Sequence, residues 1–159
     1  GALGFAGEIG YLPLPGGNLE ALASTAALVR RVAAAKGLPE EAVDGEMVFA
    51  WAKTGDEIAG GAISRMIEAL AAGIAAVCCV ANPAMIIVGG GISAEAAYLR
   101  PLLLEALGAV LPADIFTGTH FAFARLGNDA GLLGALRFLR QCMAGGTARG
   151  ENEGGAAGD

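Results

Sequence analysis

The sequence predicts an α/β fold in which helices pack on a small sheet. Apolar residues recur at three- and four-residue steps through several long stretches, the signature of helices with one buried face. Between two such stretches, Met85-Ile86-Ile87-Val88 forms a continuous apolar run bounded by turn residues, as a parallel strand covered on both faces does. Hydrophobic residues make up 55% of the 159 residues and aromatics only 6%, so the helices are expected to meet closely through alanine. That composition excludes a disordered chain and suits a single domain with a real core.

Residues 1–17 read as a glycine-rich loop around a short extended piece at 9–14, where Pro13 suits an edge position. Asn18 is placed to cap a helix running to about Lys36, with Leu19, Leu22, Ala26, Val29 and Ala33 as its core stripe. Gly37 ends that helix, and a short one follows around 46–53. Thr54-Gly55-Asp56-Glu57 reads as a capping box opening the longest helix. Its buried face is expected to be Ile63, Met66, Ile67, Leu70, Ile74, Val77 and Ala81, and Asn82-Pro83 stops it. After the apolar strand come a helix at about 94–111, a second strand at 119–125 and a last helix at 130–142 with Asp129 as its cap. A disordered tail is expected over 145–159, leaving 1–144 as one lobe. Two or three strands are too few for a complete sheet, so the lobe reads as part of a larger fold that begins in mid-structure.

Several functions are argued against. A net charge of −6 does not suit phosphate neutralisation on nucleic acid, and the one basic cluster, Arg30-Arg31, is expected on a solvated helix face. Cys78, Cys79 and Cys142 show no disulfide spacing and fit a reducing, cytoplasmic setting. His120 is the single imidazole, short of the four clustered ligands that structural zinc requires. No secretory signal is visible at Gly1-Ala2-Leu3-Gly4. Residues 69–94 carry no charge, but Asn82-Pro83 and three glycines interrupt them, giving a buried helix, turn and strand in preference to a membrane span.

Two groups of residues could carry chemistry. Val88-Gly89-Gly90-Gly91-Ile92-Ser93 lies between a buried strand and a helix. There Gly89, Gly90 and Gly91 either let a ligand approach the backbone and a helix N-terminus, or simply make a tight turn that needs positive φ. Gly89-x-Gly91-x-x-Ala94 also fits a loose dinucleotide fingerprint, which is discounted because it falls late in the chain. Glu8 and Glu20 are isolated carboxylates in glycine-rich surroundings, able to accept hydrogen bonds from ligand hydroxyls. Glu20 equally suits the first turn of a helix, where an acid complements the macrodipole. No nucleophile elbow surrounds Ser24, Ser64 or Ser93.

An ordered series of short motifs adds to this reading. Gly4-x-Ala6-Gly7-Glu8-Ile9-Gly10 is followed by Gly17-x-Leu19-Glu20 with Ser24, then by Gly55-Asp56, Asn82-Pro83 and the glycine turn. Leu126-Gly127-Asn128-Asp129-Ala130-Gly131-Leu132-x-Gly134-Ala135 completes it. Over about residues 4–140 the chain resembles the C-terminal half of ROK proteins (repressors, uncharacterised frames and sugar kinases). The resemblance implies the C-terminal part of an actin-like, ribonuclease-H-like ATPase fold that binds sugar between two lobes. It places Glu8 and Glu20 on sugar hydroxyls, and Gly89, Gly90 and Gly91 on the nucleotide side. The family's phosphate loop, its base aspartate and the repressors' winged helix–turn–helix belong to an N-terminal half outside this sequence.

The family often has histidine, a zinc ligand and sugar contact, where Tyr11 stands here, and a three-cysteine cluster where Leu14-Pro15-Gly16-Gly17-Asn18 stands. Tyr11 is thus a third expected substrate residue, and no zinc is expected. The resemblance implies the effector-binding and oligomerising part of a sugar-responsive transcriptional regulator, because loss of the zinc ligands relaxes the kinase-type site. The alternative is the C-terminal half of a glucokinase-like enzyme using ATP and Mg, with this chain alone inactive. Expected partners are a sugar or sugar phosphate and further copies in a homodimer or homotetramer. DNA would be bound only through the N-terminal domain, and no membrane is expected.

Overall fold

The computed structural model describes residues 7–126 and 129–147. They fall into two units, residues 1–124 and 125–159, each taken by itself. The first opens with a short 3-10 helix, Ile9–Tyr11, and a two-residue antiparallel hairpin of β1 (Pro13–Leu14) and β2 (Gly17–Asn18). The extended piece expected at 9–14 is therefore half helical turn and half hairpin, because Pro15 and Gly16 (φ +91°) reverse the chain early.

Two helices follow where one was expected. Asn18 caps α1 (Leu19–Ala23) by accepting from the Ala21 amide at 2.8 Å. Ser24 then adopts extended backbone and caps α2 (Thr25–Lys36), accepting from the Ala27 amide at 3.2 Å. The break resets the helical phase. Ala27, Leu28, Val32 and Ala33 are buried in α2, whereas Ala26 is exposed and Val29 only partly covered.

α3 (Gly45–Lys53) leads into α4 (Glu57–Ala81), whose cap is Asp56 and not Thr54. Asp56 accepts from the Ala59 amide at 2.9 Å, and Gly55 (φ +92°) supplies the turn between the helices. The Thr54 hydroxyl instead donates to the Ala50 and Trp51 carbonyls and closes α3. α4 is long and apolar enough to cross a membrane. In this unit it packs against α1, α2, α3 and the later α5 (Ala96–Val110). Ala59, Ile63, Met66, Ile67, Ile74 and Cys78 are buried along it, while Leu70 and Val77 are half-covered and Ala81 is exposed. Asn82 ends it in the left-handed region, at φ 43°.

The sheet holds β3 (Met85–Val88) and β4 (His120–Phe123) in parallel, with Met85 opposite His120 and Val88 opposite Phe123. Between them run a 3-10 helix (Gly91–Glu95), α5 and α6 (Ala113–Gly118). β4 is shorter than the run expected at 119–125: Thr119 caps α6, its hydroxyl donating to the Pro83 carbonyl at 3.2 Å. Among the described residues β3 is covered on one face only. Val88 is buried, but Met85 and Ile87 are 50% and 61% exposed, because two strands make a narrow sheet with helices on one side.

In the second unit α7 (Asp129–Thr147) starts with Asp129 already helical, its amide donating to the Leu126 carbonyl. It reaches beyond the end expected at 142, and the expected tail lies outside the described residues past 147.

Of the described glycines, Gly73 in α4 is the most closely packed. A Cβ there would sit 2.5 Å from Leu19 Cδ2 of α1, and Leu19 is itself buried. Gly73→Val is expected to destabilise the protein by about 1–3 kcal/mol through overpacking, read as a lower urea midpoint at unchanged m.

Asp56 has a second task, pairing with Lys36, whose ammonium also lies 4.7 Å from the Trp51 ring centroid. The Lys36 hydrogen bond and the Ala59 amide hold the Asp56 carboxyl below the ordinary value of 3.8. A carboxyl depressed by folding stabilises the protein above its unfolded pKa. That contribution is lost as pH falls from near 3.8 through the lower folded value. In urea melts on a pH series, Asp56→Ala is expected to be less stable than the parent above that window, with the gap closing below it.

Candidate functional site

Glu8, Tyr11 and Glu20 are brought into one small substructure. Gly7 (φ +89°) turns the chain into the first 3-10 helix, and Glu8 sits at its N-cap with no side-chain capping bond. Its carboxylate is therefore not consumed by the local fold. The amides of Tyr11 and Leu12 donate to the carbonyls of Glu8 and Ile9 at 3.3 and 2.9 Å, fixing the turn. Gly10 faces Glu20: a Cβ there would lie 3.5 Å from Glu20 Oε2. That is ordinary van der Waals distance, so the turn at Gly10 lies directly against the Glu20 side chain.

Glu20 stands exposed in the first turn of α1. α1 is held by Asn18, by the Leu19 amide donating to the Leu12 carbonyl at 3.0 Å, and by the Leu19 side chain on Gly73. Tyr11 is 72% exposed, its ring free of the core. Glu8 lines an open, mostly apolar cleft of about 670 Å³ with Gly73, Val77 and Val80 of α4, and Glu20 is not part of that wall.

The glycine turn is carried by other elements, β3 before it and α5 after it. Gly90, at φ +83° and ψ −170°, occupies a region only glycine adopts at ease. Its carbonyl accepts from the Ser93 amide at 3.0 Å and from the Ser93 hydroxyl at 2.7 Å. Cβ atoms at Gly89 and Gly91 would meet only Ala124 and Thr25, each at 3.8 Å, and one at Gly90 would meet nothing within 4 Å. The backbone of all three glycines is exposed. That open, side-chain-free surface fits a phosphate-bearing nucleotide laid along it. The α-helix expected from about residue 94 starts at Ala96 and not at the glycines. The five-residue 3-10 helix intervenes, because Ser93 ties the chain back on itself.

Sequence patterns missed two supports of this region. Lys53 Nζ lies 2.6 Å from Glu95 Oε2, tying the end of α3 to the residue that opens α5. Arg31, expected on a solvated face with Arg30, is half-buried and donates from Nη2 to the Leu22 carbonyl at 3.4 Å. Both link residues distant in sequence, which periodicity does not register.

The chain does not offer a zinc site in the hairpin region. Tyr11 supplies a phenol, residues 14–18 contain no cysteine, and the described residues hold no group of three or more His, Cys, Asp or Glu side chains suited to a metal.

The ROK family model matches residues 1–142, and the chain belongs to the ROK family. It is 35% identical over 111 residues to a glucokinase of Thermotoga maritima, covering 69% of this chain and 34% of that protein. A ROK glucokinase of Streptomyces griseus, solved with glucose and AMPPNP, superposes with a TM-score of 0.68 at 25% identity, over 86% of this chain and 52% of the other. A ROK transcriptional regulator, a homologue of the E. coli MLC protein, superposes with a TM-score of 0.57 at 26% identity, over 67% and 29%. The α/β architecture read from the sequence, helices on a small sheet, is that of the actin-like ROK sugar kinases. The chain spans less than half the length of the curated relatives it matches.

The lack of a ligand set leads to a direct expectation. Chelators should leave the melting temperature unchanged, and elemental analysis of the purified protein should find no stoichiometric zinc.

Proposed function

We propose that this chain is the C-terminal lobe of an ATP-dependent sugar kinase, binding a hexose-like sugar through Glu8 and Glu20 and nucleotide at Gly89, Gly90 and Gly91. The observation that carries this reading is the open glycine turn, kept clear of side chains although Gly90 needs a conformation that other residues resist. The nucleotide-bound glucokinase among the structural relatives supports it. ATP with Mg²⁺ would supply the phosphoryl group, and catalysis of such transfer is mainly positioning and charge stabilisation. Within that chemistry the acids of this lobe hold the sugar hydroxyls, and the turn holds the nucleotide by backbone.

A second reading, effector binding in a transcriptional regulator, is favoured by one feature, the phenol of Tyr11 in the position of the family's histidine, and by the regulator among the relatives.

Kinetics on the full-length protein test the proposal. The parent should transfer the γ-phosphoryl group of ATP to a sugar hydroxyl with Mg²⁺, releasing ADP and a sugar phosphate. Glu8→Gln should raise the sugar KM about tenfold, the worth of one hydrogen bond to a charged group. Gly90→Ala should raise the ATP KM and leave sugar affinity measured by calorimetry unchanged. Absence of ATP turnover across a panel of hexoses, with sugar-sensitive binding to an operator DNA, would replace the kinase with the regulator.

A further inference from the structure

A second cleft lies between α2 and α4, away from the wall that Glu8 lines. It has a volume of about 450 Å³, and Arg31 and Arg65 stand in its lining with Leu14, Leu22 and Glu68. The same two arginines line a smaller adjoining cleft of about 230 Å³, so both guanidiniums border the space between the helices. Neither makes an ion pair: the salt bridges among the described residues are Lys36–Asp56 and Lys53–Glu95. Glu68 and Glu57 line these walls without closing on the arginines.

Arg31 is the sharper anomaly. Its Nη2 donates to the Leu22 carbonyl, but Nη1 is buried and has no hydrogen-bond partner. A buried donor of a charged group left unpaired is costly, and such a donor is normally satisfied. Glu68 and Glu57 on the same walls balance the two arginines in charge, so the site is marked by the unmatched guanidinium donor of Arg31 and not by net charge.

We infer that Arg31 and Arg65 bind a phosphate group, carried by a small phosphate monoester or by free phosphate. The planar fork of guanidinium presents paired N–H donors that match phosphate oxygens, and two forks can hold one phosphate from two sides. The apolar wall of Leu14 and Leu22 leaves room for the organic body of an ester beside the phosphate. This site is independent of the kinase reading, because its residues are on other walls than Glu8 and the glycine turn. It gives the protein a place to sense a phosphorylated metabolite apart from its sugar site.

Calorimetric titration of the full-length protein with inorganic phosphate and with glucose 6-phosphate tests the inference. At least one probe should bind, and Arg31→Gln and Arg65→Gln should each weaken that binding about tenfold. Tighter binding of the ester than of phosphate assigns the site to phosphate monoesters, and equal binding assigns it to phosphate itself. Glu68→Gln, which removes a like charge from the wall, should tighten binding by about two- to fivefold. This gain cannot come from misfolding. If neither probe binds, or if binding survives unchanged in both arginine variants, the inference is overturned, since any phosphate bound then occupies another site.

Discussion

The structure depends on how closely other helices can approach α4. Four of them lean on it, and half of its buried residues are small: Ala59, Ala62, Ala69, Ala71 and Gly73 lie among Ile63, Met66, Ile67, Ile74 and Cys78. The small residues let the other helices approach closely, while the larger ones between them bury most of the apolar area. Gly73 is the extreme case, where the absence of a Cβ admits Leu19. Because Leu19 also begins α1, the spacing that closes the core orients the helix that bears Glu20. Packing and site geometry are set by one contact.

The two candidate regions are stiffened by different means. Around Glu8 the order is local: a positive-φ glycine, amide bonds from Tyr11 and Leu12, and a two-residue hairpin. Around the glycines it is long-range. Ile92 is buried against the core, Ser93 clamps the Gly90 carbonyl, and Glu95 is tied to Lys53 of α3. A turn anchored on both sides can keep an exposed backbone in a fixed shape without side chains over it. Such an exposed, preshaped backbone suits a ligand that is recognised by its phosphates.

Much of this was legible in the sequence. Met85-Ile86-Ile87-Val88 announced its strand by composition, Asn82-Pro83 marked the end of α4, and the ordered motifs identified the family. The misreadings have physical causes. Ser24 and Asp56 are good helix caps that stand inside or beside convincing periodic stretches, and periodicity cannot see that a capping side chain has turned inward on an amide. Thr54 offered the same pattern as Asp56, and the competition was decided by the turn at Gly55. The solvated reading of Arg31 failed because its exposure is set by α4 and the hairpin, elements far away along the chain. Strand coverage failed similarly: Ile87 is as apolar as Ile86, and only the sheet's narrowness leaves it exposed.

The hairpin region draws its shape from pairing and capping within the chain. A bound zinc would cross-link the loop ahead of α1 and remove conformational entropy that folding must otherwise overcome. Here the loop is short, reversed by Pro15-Gly16 and closed by antiparallel pairing of Pro13 with Asn18. Asn18 then spends its side chain on the α1 cap, and the next residue enters the core at Gly73. Asn18 thus finishes the strand and caps the helix, and Leu19 beside it anchors the helix in the core. The ordering stops short of Tyr11, whose ring projects into solvent. In this family member the backbone that carries Glu8 and the start of α1 is fixed by these bonds, whereas the Tyr11 ring beside it stands outside the core.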